Sequence, residues 1–190
     1  MEKGKLIFVT GGVRSGKSSY AESMAVAWSK QLASNLHYVA CGVPSDQEMT
    51  ERIARHQESR ENALVSWETW ECPYHLQDLA NHFSKQDILL LDCVTTLLNN
   101  YLFACRIEKP EQALDYILTD IASLQEAAAG LIVVSNEVTQ GILDEESLTK
   151  NYQYILGNVH QKIVEHADAA YLIENGIPIR KKGAMACKGL

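Results

Sequence analysis

No part of this sequence limits its fold more than residues 11–18, which read Gly-Gly-Val-Arg-Ser-Gly-Lys-Ser. A glycine, four free positions and then Gly-Lys-Ser is the pattern of the phosphate-binding loop (P-loop) of nucleoside triphosphatases. The apolar run Leu6–Val9 precedes the loop as a buried strand would, and apolar side chains recur at helical spacing from Tyr20 to Trp28 after it. This order places backbone N–H groups and the positive end of a helix around a polyphosphate. The chain is therefore predicted to bind a nucleoside triphosphate.

Individual positions of the loop have separate roles in this interpretation. The glycines let the backbone approach the phosphates without a Cβ in the way. Lys17 is expected to reach the β- and γ-phosphates, and the Ser18 hydroxyl is expected to coordinate Mg²⁺. The alternative is a glycine-rich turn that merely joins a strand to a helix. It is disfavoured because the flanking elements are of the right type and in the right order.

Length and charge set limits on the class of protein. The 190 residues suit one domain, residues 1–190, with a sizeable core. Hydrophobic residues at 46% and charged residues at 22% are ordinary for a soluble globular protein. The net charge of -7 and the lack of a basic tract argue against broad nucleic-acid binding. A nucleic acid is therefore not the expected partner.

The cysteines and the apolar runs indicate a compartment. The five cysteines are odd in number and show no C-x-x-C spacing, which argues against a disulfide framework or a zinc site. No apolar run has the length of a membrane span, and the run after the N-terminus is too short for a signal peptide. We therefore expect a cytoplasmic protein without a membrane segment.

Apolar runs and helix signals alternate along the rest of the chain. Predicted strands are Leu6–Val9, Leu36–Ala40, Leu64–Trp67, Ile88–Asp92, Leu131–Val134 and Ala169–Ile173, with a return strand Ile177–Ile179 after the turn signal Asn175-Gly176. Predicted helices follow the P-loop and then cover about residues 46–60, 73–83, 95–104, 110–129 and 147–166. This pattern predicts an α/β fold: a mainly parallel sheet with helices on both faces and a C-terminal hairpin.

Ligands of such sheets bind at the carboxyl ends of the strands. Besides the P-loop, those ends carry Cys41-Gly42-Val43, Asp92 and Asn136-Glu137. Asp92 closes an apolar strand, as the acidic residue of the Mg²⁺ shell does in P-loop proteins. The alternative is that Asp92 only caps the next helix. Given the P-loop, we favour the metal role.

One predicted helix carries a possible nucleophile. Arg52, His56 and Arg60 are spaced i, i+4, i+8 and therefore share a face. On spacing alone, a solvated helix with ion pairs to Glu48 and Glu51 is the better interpretation. The competing hypothesis makes His56 a nucleophile toward phosphorus, with Arg60 holding phosphate oxygens. The other histidines have no metal-ligand spacing and are read as structural or surface residues: His37, His75, His82, His160 and His166.

Several segments together resemble the bifunctional adenosylcobinamide kinase/adenosylcobinamide-phosphate guanylyltransferases of cobalamin biosynthesis. The resemblance covers most of the chain in the right order. It rests on Gly11-Gly12-Val13-Arg14-Ser15-Gly16-Lys17-Ser18 with Ala21-Glu22, Arg52-Ile53-Ala54-Arg55-His56 with Arg60, Trp67-Glu68-Thr69-Trp70-Glu71, Asp92-Cys93-Val94-Thr95-Thr96-Leu97 and Ser135-Asn136-Glu137-Val138. The P-loop is common to many families, whereas the His-x-x-x-Arg, Trp-x-Thr-x-Glu and Asn-Glu-Val segments are far more particular. The chain departs from the family pattern at Thr139, Asp144 and Gln153.

The resemblance implies a RecA-like sheet, a homotrimer and two activities. A kinase step would phosphorylate a hydroxyl of adenosylcobinamide with ATP or GTP, with Lys17 as a catalytic residue. A guanylyltransferase step would pass GMP from GTP through His56 to the corrinoid phosphate, which gives adenosylcobinamide-GDP. The implied metal ligands are Ser18 and Asp92. The implied nucleotide contacts are Gly11, Gly12, Val13, Arg14, Ser15, Gly16, Lys17, Ser18, Cys41, Gly42, Val43, Gln57, Glu58, Ser59, Arg60, Glu71 and Asp92.

Two other functions remain open at this point. One is a P-loop kinase of another small alcohol or nucleoside, in which His56 is only a surface residue. The other is a regulatory protein whose bound nucleotide controls a partner. The resemblance favours the bifunctional enzyme over both, because it makes His56 catalytic.

Overall fold

A computed structural model of the chain describes residues 3–42, 65–105, 107, 109, 111–137 and 147–183. The described strands form one seven-stranded sheet in the order β3-β2-β4-β5-β1-β6-β7. The strands are β1 Lys5–Gly11, β2 Asn35–Ala40, β3 Trp67–Glu71, β4 Asp87–Asp92, β5 Gly130–Asn136, β6 Ala169–Glu174 and β7 Ile177–Lys182. The helices are α1 Lys17–Leu32, a 3₁₀ helix Leu76–His82, α2 Val94–Asn99 continued by a π turn Asn100–Ala104, α3 Gln112–Ala127 and α4 Ser147–His166.

All strand pairs are parallel except that of β6 with β7. The central strands are unbroken apolar runs because both of their faces are covered. Alternate side chains enter two separate cores: Ile88 and Leu90 of β4 pack beneath α1, while Leu89 and Leu91 pack beneath the helices of the opposite face. Burial of each such side chain contributes roughly 1.5–3 kcal/mol. The expected α/β architecture with helices on both faces is confirmed.

Helices occupy the two faces unequally. Among the described elements, α1 is the helix that packs on the face of Ile88 and Leu90, through Ala21, Met24, Ala25 and Trp28. The other face is covered by α2, α3, α4 and the 3₁₀ helix. No helix in the described ranges is long and apolar enough to cross a membrane.

The C-terminal hairpin forms as the sequence predicts. The turn at Asn175 and Gly176, both with positive φ, returns the chain from β6 into the antiparallel strand β7. Glycine is needed at this kind of turn because a left-handed backbone costs other residues energy. The turn also contacts the P-loop, because the Gly176 N–H donates to the Ser15 carbonyl oxygen over 2.8 Å. The turn between β6 and β7 therefore supports the P-loop.

Three predicted elements differ from the structure. The strand expected at residues 64–67 lies at Trp67–Glu71, because its backbone pairs with Leu36–Ala40 of β2 in that register. The side chains of Thr69 and Glu71 are exposed, since β3 is the edge strand. The helix expected at 73–83 is the shorter 3₁₀ helix, in which only Leu76 is buried. The helix expected at 95–104 is α-helical only to Asn99 and ends in the π turn.

Candidate nucleotide site

The P-loop joins the carboxyl end of β1 to the N-terminus of α1. Arg14 and Gly16 have left-handed backbone conformations, with φ of 59° and 89°. The Ser15 N–H donates to the Gly12 carbonyl over 3.2 Å, and the Tyr20 N–H donates to the Gly16 carbonyl over 3.0 Å. The loop thus folds back on itself directly before the first turn of the helix. Such a turn presents successive N–H groups as an anion site.

Two loop glycines differ in their surroundings. A Cβ on Gly11 would lie 2.5 Å from the Ile173 carbonyl oxygen and 2.6 Å from Ser15 Oγ, whereas a Cβ on Gly12 would meet nothing within 4 Å. Gly11 is therefore required by packing against β6 and the loop itself. Gly12 leaves open space above the loop, which a phosphate can occupy.

Lys17 is a cation of the site and is only 5% exposed. Its ammonium donates to the Gly12 carbonyl oxygen over 3.2 Å. Burial of an ammonium is costly unless polar groups surround it. The charge is therefore held at the base of the loop, where a polyphosphate would compensate it.

Asp92 ends β4 on the same face of the sheet as α1. The alternation of side chains along the strand places it with Ile88 and Leu90, which pack beneath α1. Its Oδ2 accepts a hydrogen bond from the Tyr38 hydroxyl over 2.7 Å. Its Oδ1 is buried and has no hydrogen-bond partner in the part of the chain that the structure describes. A buried carboxylate oxygen without a partner is costly, so this atom fits a metal ligand.

A buried hydrogen-bonded group supports the ends of β4 and β5. Ser135 Oγ lies 2.7 Å from His160 Nε2 and 3.2 Å from Thr95 Oγ1, which in turn accepts the Asn136 N–H over 2.9 Å. Burial lowers the pKa of His160 to about 4, so this imidazole is neutral at pH 7. The Glu137 N–H donates to the Gly11 carbonyl over 2.9 Å. These contacts link α2, which follows Asp92, to the start of the P-loop.

The carboxyl ends of β2 and β3 are joined by one side chain of the π turn. Asn100 Nδ2 donates to the carbonyl oxygens of Cys41 and Pro73 over 2.9 and 2.8 Å. Burial, and then the neighbouring Cys93 and Asp92, raise the pKa of the Cys41 thiol well above its usual value. Cys41 is therefore a packed thiol at neutral pH. Its backbone is held in place too, because the Cys41 N–H donates to the Asp92 carbonyl oxygen over 3.1 Å.

The structure brings many of the predicted site residues to one edge of the sheet. In strand register, Ala40, which precedes Cys41, lies opposite both Glu71 and Asp92, and Gly11 lies opposite Asn136. The P-loop, Cys41-Gly42, Glu71 and Asp92 therefore share the carboxyl edge, with Glu71 at its outer limit on the exposed strand. The remaining predicted residues, Val43, His56, Gln57, Glu58, Ser59 and Arg60, lie outside the described residues.

Sequence reasoning missed Tyr38 and the group around His160. Tyr38 lies in an apolar strand, and its phenol resembles any other core aromatic in a hydropathy pattern. Its position two residues before the strand end is a usable signal, because side chains near carboxyl ends reach the ligand edge. His160 was interpreted only as structural or surface, and the sequence carries no mark of its contact with Ser135, which lies 25 residues away.

Comparisons with known proteins give the family. A family model described as cobinamide kinase / cobinamide phosphate guanyltransferase matches residues 7–181. The chain is 34% identical over 188 residues to a bifunctional adenosylcobalamin biosynthesis protein, CobU, of Salmonella typhimurium, with 93% of this chain and 99% of the relative covered. It is 31% identical over 179 residues to a bifunctional adenosylcobalamin biosynthesis protein, CobP, of Pseudomonas aeruginosa, with 92% and 96% covered.

Solved structures support the fold. A KaiC-like protein from Pyrococcus horikoshii superposes with a TM-score of 0.52 at 12% identity, covering 97% of this chain and 82% of that one. The flagellar accessory protein FlaH of Methanocaldococcus jannaschii superposes with a TM-score of 0.53 at 15% identity, covering 98% and 81%. At this identity the likeness concerns the fold alone. The RecA-like sheet that the sequence resemblance implied is confirmed.

Proposed function

The chain belongs to the cobinamide kinase / cobinamide phosphate guanyltransferase family, and we propose that its P-loop and His56 are the centres of the family's two reactions. In this proposal Lys17 serves phosphoryl transfer and His56 carries GMP. The chain is thus a kinase and a nucleotidyltransferase of cobalamin biosynthesis, with a corrinoid and nucleotides as substrates. The observation that carries the assignment of the P-loop is the carboxyl edge that it shares with Cys41-Gly42, Glu71 and Asp92, whereas the assignment of His56 rests on the sequence resemblance.

In the kinase step, a hydroxyl oxygen of cobinamide attacks the γ-phosphorus of ATP or GTP. The bond from that phosphorus to the bridging oxygen breaks, the nucleoside diphosphate leaves, and the hydroxyl proton is released. Phosphoryl transfer depends mainly on positioning and on neutralisation of charge. The loop N–H groups hold the phosphates, and the buried Lys17 ammonium balances their negative charge.

In the transferase step, an imidazole nitrogen of His56 attacks the α-phosphorus of GTP. The bond to the bridging oxygen breaks, pyrophosphate leaves, and GMP stays on His56 as a phosphoramidate. A phosphate oxygen of cobinamide phosphate then attacks the same phosphorus and breaks the P–N bond. A nucleophilic histidine suits this chemistry because it divides one difficult displacement into two. Gln57, Glu58, Ser59 and Arg60 are proposed to hold the GTP during it.

Mg²⁺ fits the residues at the site. The unpartnered, buried Oδ1 of Asp92 supports this assignment, because a hard cation prefers carboxylate and hydroxyl oxygens. Asp92 and the Ser18 hydroxyl would hold the ion. When bound, it neutralises charge on the β- and γ-phosphate oxygens.

Four further properties belong to the same proposal, of which the homotrimer rests on the family resemblance and the others on the length, charge and cysteine content of the sequence. The 190 residues form a single nucleotide-binding domain. The enzyme works as a homotrimer in the cytoplasm. It acts on small molecules and not on nucleic acid, in keeping with its net charge of -7. Sedimentation of the purified protein tests the trimer directly.

Labelling with GTP that carries a radioactive α-phosphate, in the absence of corrinoid, tests the transferase assignment. We expect label on the wild-type protein that is lost in acid and stable in base, as a phosphoramidate is. His56→Ala should abolish it. His166→Ala should retain it, because that side chain is exposed at the end of α4. Label on His56→Ala equal to that on the wild type would refute the role of His56.

The alternative functions give different results in the same assay. A kinase of another alcohol or nucleoside would show no protein-bound label yet would phosphorylate a hydroxyl substrate. A regulatory protein would show neither reaction. Adding cobinamide phosphate to the labelled protein should discharge the label into a corrinoid product. If the label stayed on the protein, the protein would take GMP from GTP but would not pass it to the corrinoid phosphate.

A further inference from the structure

Tyr38 and Asp92 are neighbours across the strand pair β2 and β4. In the strand register Tyr38 lies opposite Leu90, and Ala40 lies opposite Asp92. Tyr38 is therefore two residues nearer the N-terminal ends of the paired strands than Asp92 is. Both side chains lie on the α1 face of the sheet, the tyrosine within that core and the aspartate at its rim. The phenol is long enough to bridge the two levels. Its hydroxyl donates to Asp92 Oδ2 over 2.7 Å.

The position of the Tyr38 hydroxyl is fixed by packing. The residue is buried in the α1 core. Its ring meets Trp67 edge to face, with centroids 6.2 Å apart and planes at 79°. Burial and the contact with Trp67 already fix the ring. Little conformational entropy is therefore lost when the hydroxyl donates to the Asp92 carboxylate. An aliphatic residue would fill the same core but would leave Asp92 without this donor.

The hydrogen bond determines which oxygen of Asp92 remains available. Oδ2 accepts from Tyr38, while Oδ1 is buried and lacks a hydrogen-bond partner within the described ranges. A carboxylate that is fixed through one oxygen has lost its rotational freedom before a ligand binds. Binding of a cation to the other oxygen then costs less conformational entropy.

We propose that Tyr38 is a positioning residue for the metal–nucleotide complex. It holds Asp92 through Oδ2 so that Oδ1 is presented to the divalent cation that accompanies the triphosphate. This inference rests on the proposed placement of Mg²⁺ at Asp92. It assigns to the tyrosine a contribution to metal affinity rather than to the binding of the nucleotide itself.

Tyr38→Phe tests the inference, because it removes the hydroxyl and keeps the ring. The readout is binding of Mn²⁺, followed by electron paramagnetic resonance with a non-hydrolysable GTP analogue at saturation. We expect the dissociation constant for Mn²⁺ to rise about tenfold, the effect of losing roughly 1.4 kcal/mol. The affinity for the analogue in the presence of a chelator should change by less than about twofold, since P-loop contacts are unaltered.

Tyr171→Phe is the matched control. Tyr171 is buried in the same core, and no hydrogen bond of its hydroxyl occurs among the described residues. This variant should bind Mn²⁺ and nucleotide as the wild type does. An equal loss of Mn²⁺ affinity in both tyrosine variants would overturn the proposal, because the effect would then come from the core.

Asp92→Asn tests whether Asp92 binds the metal ion, independently of the role of Tyr38. It should weaken Mn²⁺ binding at least as much as Tyr38→Phe does. Unchanged Mn²⁺ affinity in Asp92→Asn would refute the metal placement and the inference with it. Weak binding in Asp92→Asn with wild-type binding in Tyr38→Phe would refute the tyrosine's role alone.

Discussion

The Lys17 ammonium lies 3.2 Å from the carbonyl oxygen of Gly12, five residues back along the same loop. This hydrogen bond ties the Lys17 side chain to the backbone of the P-loop. Because Lys17 is almost fully buried, the charge is directed toward the loop rather than into solvent. A group of this kind is preorganised for a phosphate, since little has to move when the ligand arrives.

Lys17→Ala should therefore impair phosphoryl transfer more than folding. Loss of one preorganised donor of this type costs about 10²–10³ in kcat. The measurement is the initial rate of cobinamide phosphorylation at saturating nucleotide. Lys30→Ala is the control, because Lys30 lies exposed in the last turn of the same helix. A similar kcat in both variants would contradict the proposed role of Lys17.

Gly11→Ala should lower the free energy of unfolding of the nucleotide-free protein. Its Cβ would lie 2.5 Å from the Ile173 carbonyl and 2.6 Å from Ser15 Oγ, so β6 or the loop must shift. Overpacking of this kind costs about 1–3 kcal/mol. Gly12→Ala should leave the free energy of unfolding within about 0.5 kcal/mol, because the added atom meets nothing within 4 Å. Urea denaturation measures both, and equal losses would contradict this account.

His160 should make stability depend on pH. Burial lowers its pKa to about 4 in the folded protein, from an ordinary value of 6.5. Between these values the unfolded chain binds a proton that the folded chain does not, so stability falls as the pH drops from about 6.5 toward about 4. The loss is at most about 3 kcal/mol.

The test compares urea denaturation at about pH 7 and about pH 5. His160→Gln retains a polar group beside Ser135 but does not titrate, so it should lose less stability than the wild type over this interval. His166→Gln should behave as the wild type does, because that histidine is exposed on the same helix. An identical pH dependence in His160→Gln and the wild type would show that the buried imidazole is not the cause.

Tyr101→Phe should destabilise the fold through Asp120. The Tyr101 hydroxyl donates to the buried Asp120 Oδ2 over 2.6 Å and accepts the His75 N–H over 2.9 Å. Burial raises the pKa of Asp120 although the Tyr101 hydroxyl and the Gln77 N–H both donate to its carboxylate. Loss of the hydroxyl leaves the carboxylate and the His75 N–H with one partner fewer, which costs about 1–3 kcal/mol.

Tyr116→Phe is the appropriate comparison for Tyr101→Phe. Tyr116 stacks on Tyr101 with centroids 5.4 Å apart but is itself exposed. The same chemical change there should alter the free energy of unfolding by less than about 0.5 kcal/mol. The two variants would be equally stable only if the contact between Tyr101 and Asp120 contributed nothing.

The central strands were predictable because they are buried on both faces. Runs such as Ile88–Asp92 contain nothing but apolar residues before the closing acid, so hydropathy alone locates them. The hairpin followed from Asn175-Gly176, whose left-handed backbone few other pairs adopt. The edge strand β3 was displaced because its register depends on its partner β2, which local sequence does not encode.

The candidate site was predictable only in part. The P-loop and Asp92 follow from a motif and from a strand end, which are both local in sequence. Tyr38 and His160 act through partners 54 and 25 residues away, so only the fold reveals them. The π turn was equally hard to predict from the sequence. The contacts of Asn100 with Cys41 and Pro73 form only in the folded chain. His56 stays a prediction.

The contact of the Gly176 N–H with the Ser15 carbonyl oxygen makes the P-loop depend on the C-terminal hairpin. Strand β1 lies between β5 and β6, so a protein without β6 and β7 would leave one edge of β1 unpaired and would also lack the Gly176 donor. A variant truncated before Ala169 should therefore fail to be retained on immobilised GTP, although it keeps every residue of the P-loop motif.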